Sequence, residues 1–209
     1  MKVRLLQFTP NPIEFIAEQA SICYDSDPKN PLALVNHLYK NGHHSVFEHV
    51  YFTFSIEGIS RACSHQLVRH RHSSPTQRSQ RYCDEDGAVF IMPESIRNNE
   101  EAEKIFLELA GRIEKAYVDL KAAGVPNEDA RSVLPNACST KLVVSMNLRE
   151  LIHMSNERLC ARAQSEIRNV VKLMVSEVAK ADNRLSFMLV PKCKSGRIIC
   201  HSPCGKAGV

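Results

Sequence analysis

Between Gly58 and Cys83 this chain of 209 residues has no Asp or Glu, yet it carries Arg61, Arg69, Arg71, Arg78 and Arg81 with His65, His70 and His72. Cations this crowded repel one another and need anions from elsewhere. Arginine grips phosphate with a planar fork of donors. Ser73, Ser74, Thr76 and Ser79 add hydroxyl donors between the arginines. The chemistry on offer is the holding of phosphorylated small molecules. A basic surface patch that touches nucleic acid is the other reading of the same composition. No glycine occurs from Ile59 to Asp86, so neither a G-x-G-x-x-G turn nor a Walker loop lies there, and phosphate must be held by side chains and helix ends.

Two other clusters invite chemistry. His43, His44, Glu48 and His49 stand close in sequence. Their spacing fits no zinc motif, and a polar loop before a strand accounts for them as well. Near the end, Cys193, Cys200, His201 and Cys204 would suffice for tetrahedral zinc, but without a paired C-x2-C they also read as ordinary thiols on a flexible tail. The remaining cysteines are scattered singly and read as packing.

The elements that must position these groups follow from period and caps. Val3–Phe8 is predicted as a strand. Asn11, Pro12 and Glu14 form a capping-box start for a helix ending near Tyr24. A short helix carries Leu34, Val35 and Leu38. Val50–Glu57 alternates with a period of two and is predicted as a strand that Gly58 ends. Ser60 caps a helix from Arg61 to about Val68, on which Gln66 and Arg69 share a face. The basic segment continues as loop, since Pro75 forbids a regular helix. Asp84–Gly87 is a turn and Ala88–Met92 a short strand. A long helix from about Ser95 to Lys121 presents Phe106, Leu109, Ala110, Ile113, Tyr117 and Leu120 as a core stripe. Gly124 closes it, and a short helix runs from Pro126 through Arg131. From Asn147 to about Ala181 lies one helix or two abutting ones. Ala163, Ile167, Val170, Val171, Met174, Val175 and Val178 track its core face. Arg149, His153 and Asn156 fall on one face at steps of four and three.

Hydrophobic content of 44% with 24% charged residues is that of a globular protein, and a net charge of +4 is too mild for a general nucleic-acid coat. The start, MKVRLLQFTPNP, lacks the apolar stretch of a signal peptide, and no apolar run reaches bilayer length. The expectation is a cytoplasmic protein with no membrane partner.

The order of residues says more than their types. Arg69-His70-Arg71, then seven residues, then Ser79-Gln80-Arg81 followed by Tyr82, resembles the signature of the flavin-dependent thymidylate synthases. The likeness extends through His43, Ser45 and Phe47-Glu48-His49, then Arg131-x-Val133-Leu134-Pro135, Asn147-x-Arg149, His153 and Arg158. It implies an α/β (α+β) fold, a central, mainly antiparallel sheet flanked by long helices. Residues 1–191 would form one domain and 192–209 a cysteine-containing tail. It implies conversion of dUMP to dTMP with FAD as cofactor, methylenetetrahydrofolate as carbon donor and NADPH as reductant. It also implies a homotetramer with flavin at subunit interfaces, and no nucleic-acid partner. Carried over position by position, His43, Ser45, Arg69, His70, Arg71, His72, Gln77, Asn147, Arg149 and His153 match flavin contacts. Gln66, Arg69, Gln77, Ser79, Arg81, Arg131 and Arg158 match nucleotide contacts. Arg158 is the catalytic match, a guanidinium at the uracil ring, and no metal is implied. The family often has Asn-Glu where this chain has Thr76-Gln77, and Asn is frequent where His153 stands. A family member that kept flavin and lost synthase activity is a further reading.

Overall fold

The backbone pairs into a four-stranded antiparallel sheet in the order β1-β2-β4-β3. The strands are β1 (Lys2–Phe8), β2 (Tyr51–Ser60), β3 (Ser73–Gln77) and β4 (Ser139–Asn147). The structure, a computed structural model, describes residues 1–196, 198–201 and 204. Of the tail expected over 192–209, residues 197, 202, 203 and 205–209 lie outside the described ones.

Alternation drives the sheet. Phe52, Phe54 and Ile56 of β2 and Leu142, Val144 and Met146 of β4 all point to one buried face. Onto that core pack α1 (Pro12–Ser21), α2 (Pro31–Asn41), α7 (Leu148–Arg158) and α8 (Ser165–Ala181). The α8 stripe predicted from sequence is the one buried: Ile167, Val170, Val171, Met174 and Val178. On the opposite face Thr53 and Ser145, paired across β2 and β4, bond through their hydroxyls at 2.9 Å. The mixed fold with a central antiparallel sheet is as expected.

Several local expectations are corrected. β4, which is central, was not among the expected strands. β3 replaces the expected loop: it lies at the sheet edge, where Pro75, opposite Val144, leaves no inner neighbour short of a donor. Gly58 does not end β2 but sits at a register shift within it. Its φ is +69°, and a Cβ there would lie 3.1 Å from the Met1 backbone nitrogen, so two constraints favour glycine. Asn11 begins α1 in a left-handed conformation with no side-chain cap, and Glu14 turns instead to Arg184. Ala88–Met92 forms only a bridge, Phe90 to Cys138. The long helix is broken into α4 (Glu94–Arg97) and α5 (Glu100–Ala122), because the Asn99 side chain accepts from Glu101 and Ala102 and restarts the helix. The α5 stripe is not core within one chain. Tyr117 is buried, but Leu109 is 54% exposed, since period shows which face needs cover and not what covers it.

Candidate functional site

Pairing with β4 places the basic segment. The helix α3 (Arg61–Leu67) starts where Ser60 Oγ accepts from Cys63 N–H at 3.0 Å. It delivers Arg69–His72 to the start of β3, and Ser73 lies opposite Met146. That register sets the segment beside Asn147, where β4 gives way to α7. Asn147 caps α7 by accepting from Glu150 N–H at 2.9 Å. The 3-10 turn Ser45–His49, just before β2, packs on α7.

Two cavities open at this junction. One, of about 520 Å³, is lined by His44, Glu48, His72, Asn147, Arg149, Glu150, Ile152, His153, Asn156 and Ile198. The other, of about 370 Å³, is lined by Arg69, His70, Arg71, His72, Glu150, His153, Glu157 and Arg158. They share His72, Glu150 and His153. These volumes are in the range of small-molecule sites.

Of the residues predicted to touch cofactor, Arg69, His70, Arg71, His72, Asn147, Arg149 and His153 are brought together here, as is the predicted catalytic Arg158. His43 and Ser45 line neither cavity; from the same turn it is His44 and Glu48 that do, and Glu48 pairs with Arg149. Gln77 is turned inward, its amide nitrogen 3.0 Å from Ser64 Oγ and 3.2 Å from Thr140 Oγ1. Gln66 bonds Gln164, and its carbonyl lies 3.5 Å from an Arg158 nitrogen. Ser79, Arg81 and Arg131, the last directly after α6 (Asn127–Ala130), gather past the far end of β3. Arg81 Nε donates to the Glu128 carboxylate at 2.9 Å, Arg131 Nε donates to the Glu128 carbonyl at 3.0 Å, and neither lines the two cavities. Sequence reasoning assigned no role to Glu150, whose place three residues after Asn147 looks like half of a capping box. Asn156 was legible as part of the Arg149 and His153 face.

The electrostatics suit an anion. Among the described residues, Arg69, Arg71 and Arg158 are in no ion pair with a carboxylate. Glu150 is the buried counter-charge, its Oε1 2.9 Å from His70 Nδ1, with both side chains 5% exposed. Arg158 Nε lies 3.0 Å from the other ring nitrogen, Nε2. The His153 ring stands 5.6 Å from that of His70. His70, Glu150 and His153 also form the one group of potential metal ligands among the described residues. A metal on His70 Nδ1 would push the ring proton to Nε2, against the Arg158 N–H, so donor would face donor. The arginines border two adjoining pockets of small-molecule size and not a stripe with aromatics for stacking, and a nucleic-acid interface is not supported.

Comparison with known proteins adds to this geometry. A family model described as thymidylate synthase complementing protein matches residues 4–182. The chain is 38% identical to the flavin-dependent thymidylate synthase of Clostridium tetani, covering 99% of this chain and 94% of that protein. It is 41% identical to that of Geobacter sulfurreducens, covering 100% and 93%. With the enzyme of Pyrococcus horikoshii the identity is 43%, over 86% and 80%.

The residues present fit a flavin. Asn156 is buried and its amide donates to the Ile152 carbonyl at 2.8 Å, which leaves Oδ1 a buried acceptor with no partner among the described residues, beside the larger of the two cavities. An isoalloxazine N–H is a donor of the kind that atom needs, and the unpaired arginines suit the cofactor's phosphates. On the family match, these identities and a cavity bordered by the Arg-His-Arg segment and Arg158, the chain belongs to the flavin-dependent thymidylate synthases.

Proposed function

We propose that the chain carries out the reductive methylation of dUMP to dTMP, with FAD as the flavin, methylenetetrahydrofolate as carbon donor and NADPH as reductant. The observation that carries this is the shared cavity of Arg69–His72 and Arg158, joined through His72, Glu150 and His153 to that of Asn147 and Arg149. The flavin supplies, when bound, the hydride chemistry for which the chain has no group of its own. Arg69 and Arg71 neutralise phosphate charge. Asn147, Arg149, His153 and Asn156 hold the cofactor from the α7 face. Arg158 faces the uracil ring and stabilises negative charge gathering there, which makes C5 nucleophilic.

The same reading places the sites between chains of a homotetramer in the cytoplasm. Ile105 and Leu109 of α5, one turn apart on the same face, are 61% and 54% exposed, an apolar surface that a second copy would cover. No helix of the described residues is long and apolar enough to cross a membrane. Ser79, Arg81 and Arg131 would meet the nucleotide bound in a neighbouring chain's cavity.

The test is tritium release from C5-labelled dUMP. Release that needs FAD, methylenetetrahydrofolate and NADPH is expected. No release from protein that has taken up FAD would leave a flavin protein of another activity.

A further inference from the structure

Glu150 has no part in the chemistry above, yet it is a buried carboxylate in the middle of the site. Its backbone N–H is pinned by Asn147 in the first turn of α7, where the helix dipole favours an anion. Its side chain meets His70 Nδ1 at 2.9 Å, and His70 Nε2 meets Arg158 Nε at 3.0 Å. A guanidinium nitrogen only donates, so Nε2 must offer a lone pair. The ring proton is therefore on Nδ1, where the carboxylate accepts it. A doubly protonated ring would set two N–H groups against each other across 3.0 Å. Donation thus runs from Arg158 to His70 to Glu150.

We propose that Glu150 is a positioning residue, which holds the His70 proton on Nδ1 so that Nε2 can anchor the Arg158 guanidinium by its Nε edge. The second hold on Arg158 is weak, 3.5 Å from Nη2 to the Gln66 carbonyl, and among the described residues no carboxylate pairs with the guanidinium, so Nη1 is left for the ligand. A carboxylate two hydrogen bonds away thereby decides where the one guanidinium at the reacting ring points. The inference rests on the reading of Arg158 as the group that faces uracil.

Two measurements test it separately from that reading. In ¹⁵N–¹H spectra of the ligand-free protein with labelled histidine, His70 is expected as the Nδ1–H tautomer. Glu150→Leu should release it toward Nε2–H, while Glu150→Gln, which keeps an acceptor oxygen, should retain it. In steady-state assays, Glu150→Leu should lower kcat about tenfold to a hundredfold, as when a histidine loses its orienting partner, with a smaller change in KM for dUMP. Glu150→Gln should restore most of kcat. A wild-type Nε2–H or doubly protonated His70, an unchanged tautomer in Glu150→Leu, or unchanged kcat in that variant would overturn the proposal. If Glu150→Leu does not fold, the wild-type and Gln spectra decide it. If the wild type does not turn over dUMP, the proposed function fails and the spectra still decide the tautomer.

Discussion

Arg158 makes its closest bond to a histidine nitrogen rather than to a carboxylate, so its charge is not cancelled by a direct ion pair. That is the state its proposed role needs, stabilising charge that gathers on the uracil ring, because a paired guanidinium would have to give up its anion first. Arg158→Ala is expected to lower kcat about 10²- to 10³-fold while the circular dichroism spectrum stays that of the wild type. Arg158→Lys should recover little, since an ammonium lacks the planar fork and the Nε edge that His70 holds. Cys63 illustrates the opposite use of burial. Burial, helped by the nearby Glu166 carboxylate, pushes its thiol up to about 12, so it packs as a neutral apolar group beneath the site.

At the scale of elements, α3 aims Gln66 and the basic segment, and its start is held from afar. Glu166 in the first turn of α8 accepts from Ser60 N–H at 2.7 Å and from Ser60 Oγ at 2.6 Å, while Ser60 Oγ caps α3. Ser60→Ala removes both the cap and one anchor, and should cost about 1–2 kcal/mol in thermal or denaturant unfolding. A raised KM for dUMP is expected with it, because the arginines ride on the end of this helix. The Ser60 cap was legible in the sequence, as were the α8 stripe and the Arg149, His153 and Asn156 face, because each depends only on local spacing. β3 was not: a proline among hydroxyls looks like loop, and only the edge position beside β4 makes it a strand. β4 escapes a reading keyed on the stop at Pro135 and the helix start at Asn147, although Thr140, Leu142, Val144 and Met146 alternate as regularly as β2. Glu150 could not be found locally, because a glutamate in a first helical turn usually faces solvent, and its burial is set by His70, eighty residues away in sequence.

On the scale of the whole molecule, Arg184 ties the end of α8 to the start of α1, bonding Asp182 at 2.7 Å and Glu14 at 3.0 Å. The Arg184 hydrogen bond holds the Glu14 carboxyl below its usual value. Burial pushes the Asp182 carboxyl up, but bonds from the Arg184 side chain and backbone outweigh it and leave it low as well. Both groups bind protons less readily folded than unfolded. Their stabilisation is therefore present above the usual carboxylate range and lost as pH falls through the lowered folded values. Thermal melts of wild type and Arg184→Ala should differ at neutral pH and converge in acid; a constant gap would assign the tie to packing. The length of β3 has a larger consequence. Its five residues, at about 3.4 Å each, span roughly 15 Å and part Arg71, which lines the cavity of Arg158, from Arg81 beyond the other end, which lines neither cavity. On the proposed arrangement each chain lends one end to a neighbour. Two inactive chains, one Arg158→Ala and one Arg81→Ala, should then rescue each other when co-expressed, since roughly a quarter of junctions in a random mixture would pair two intact halves.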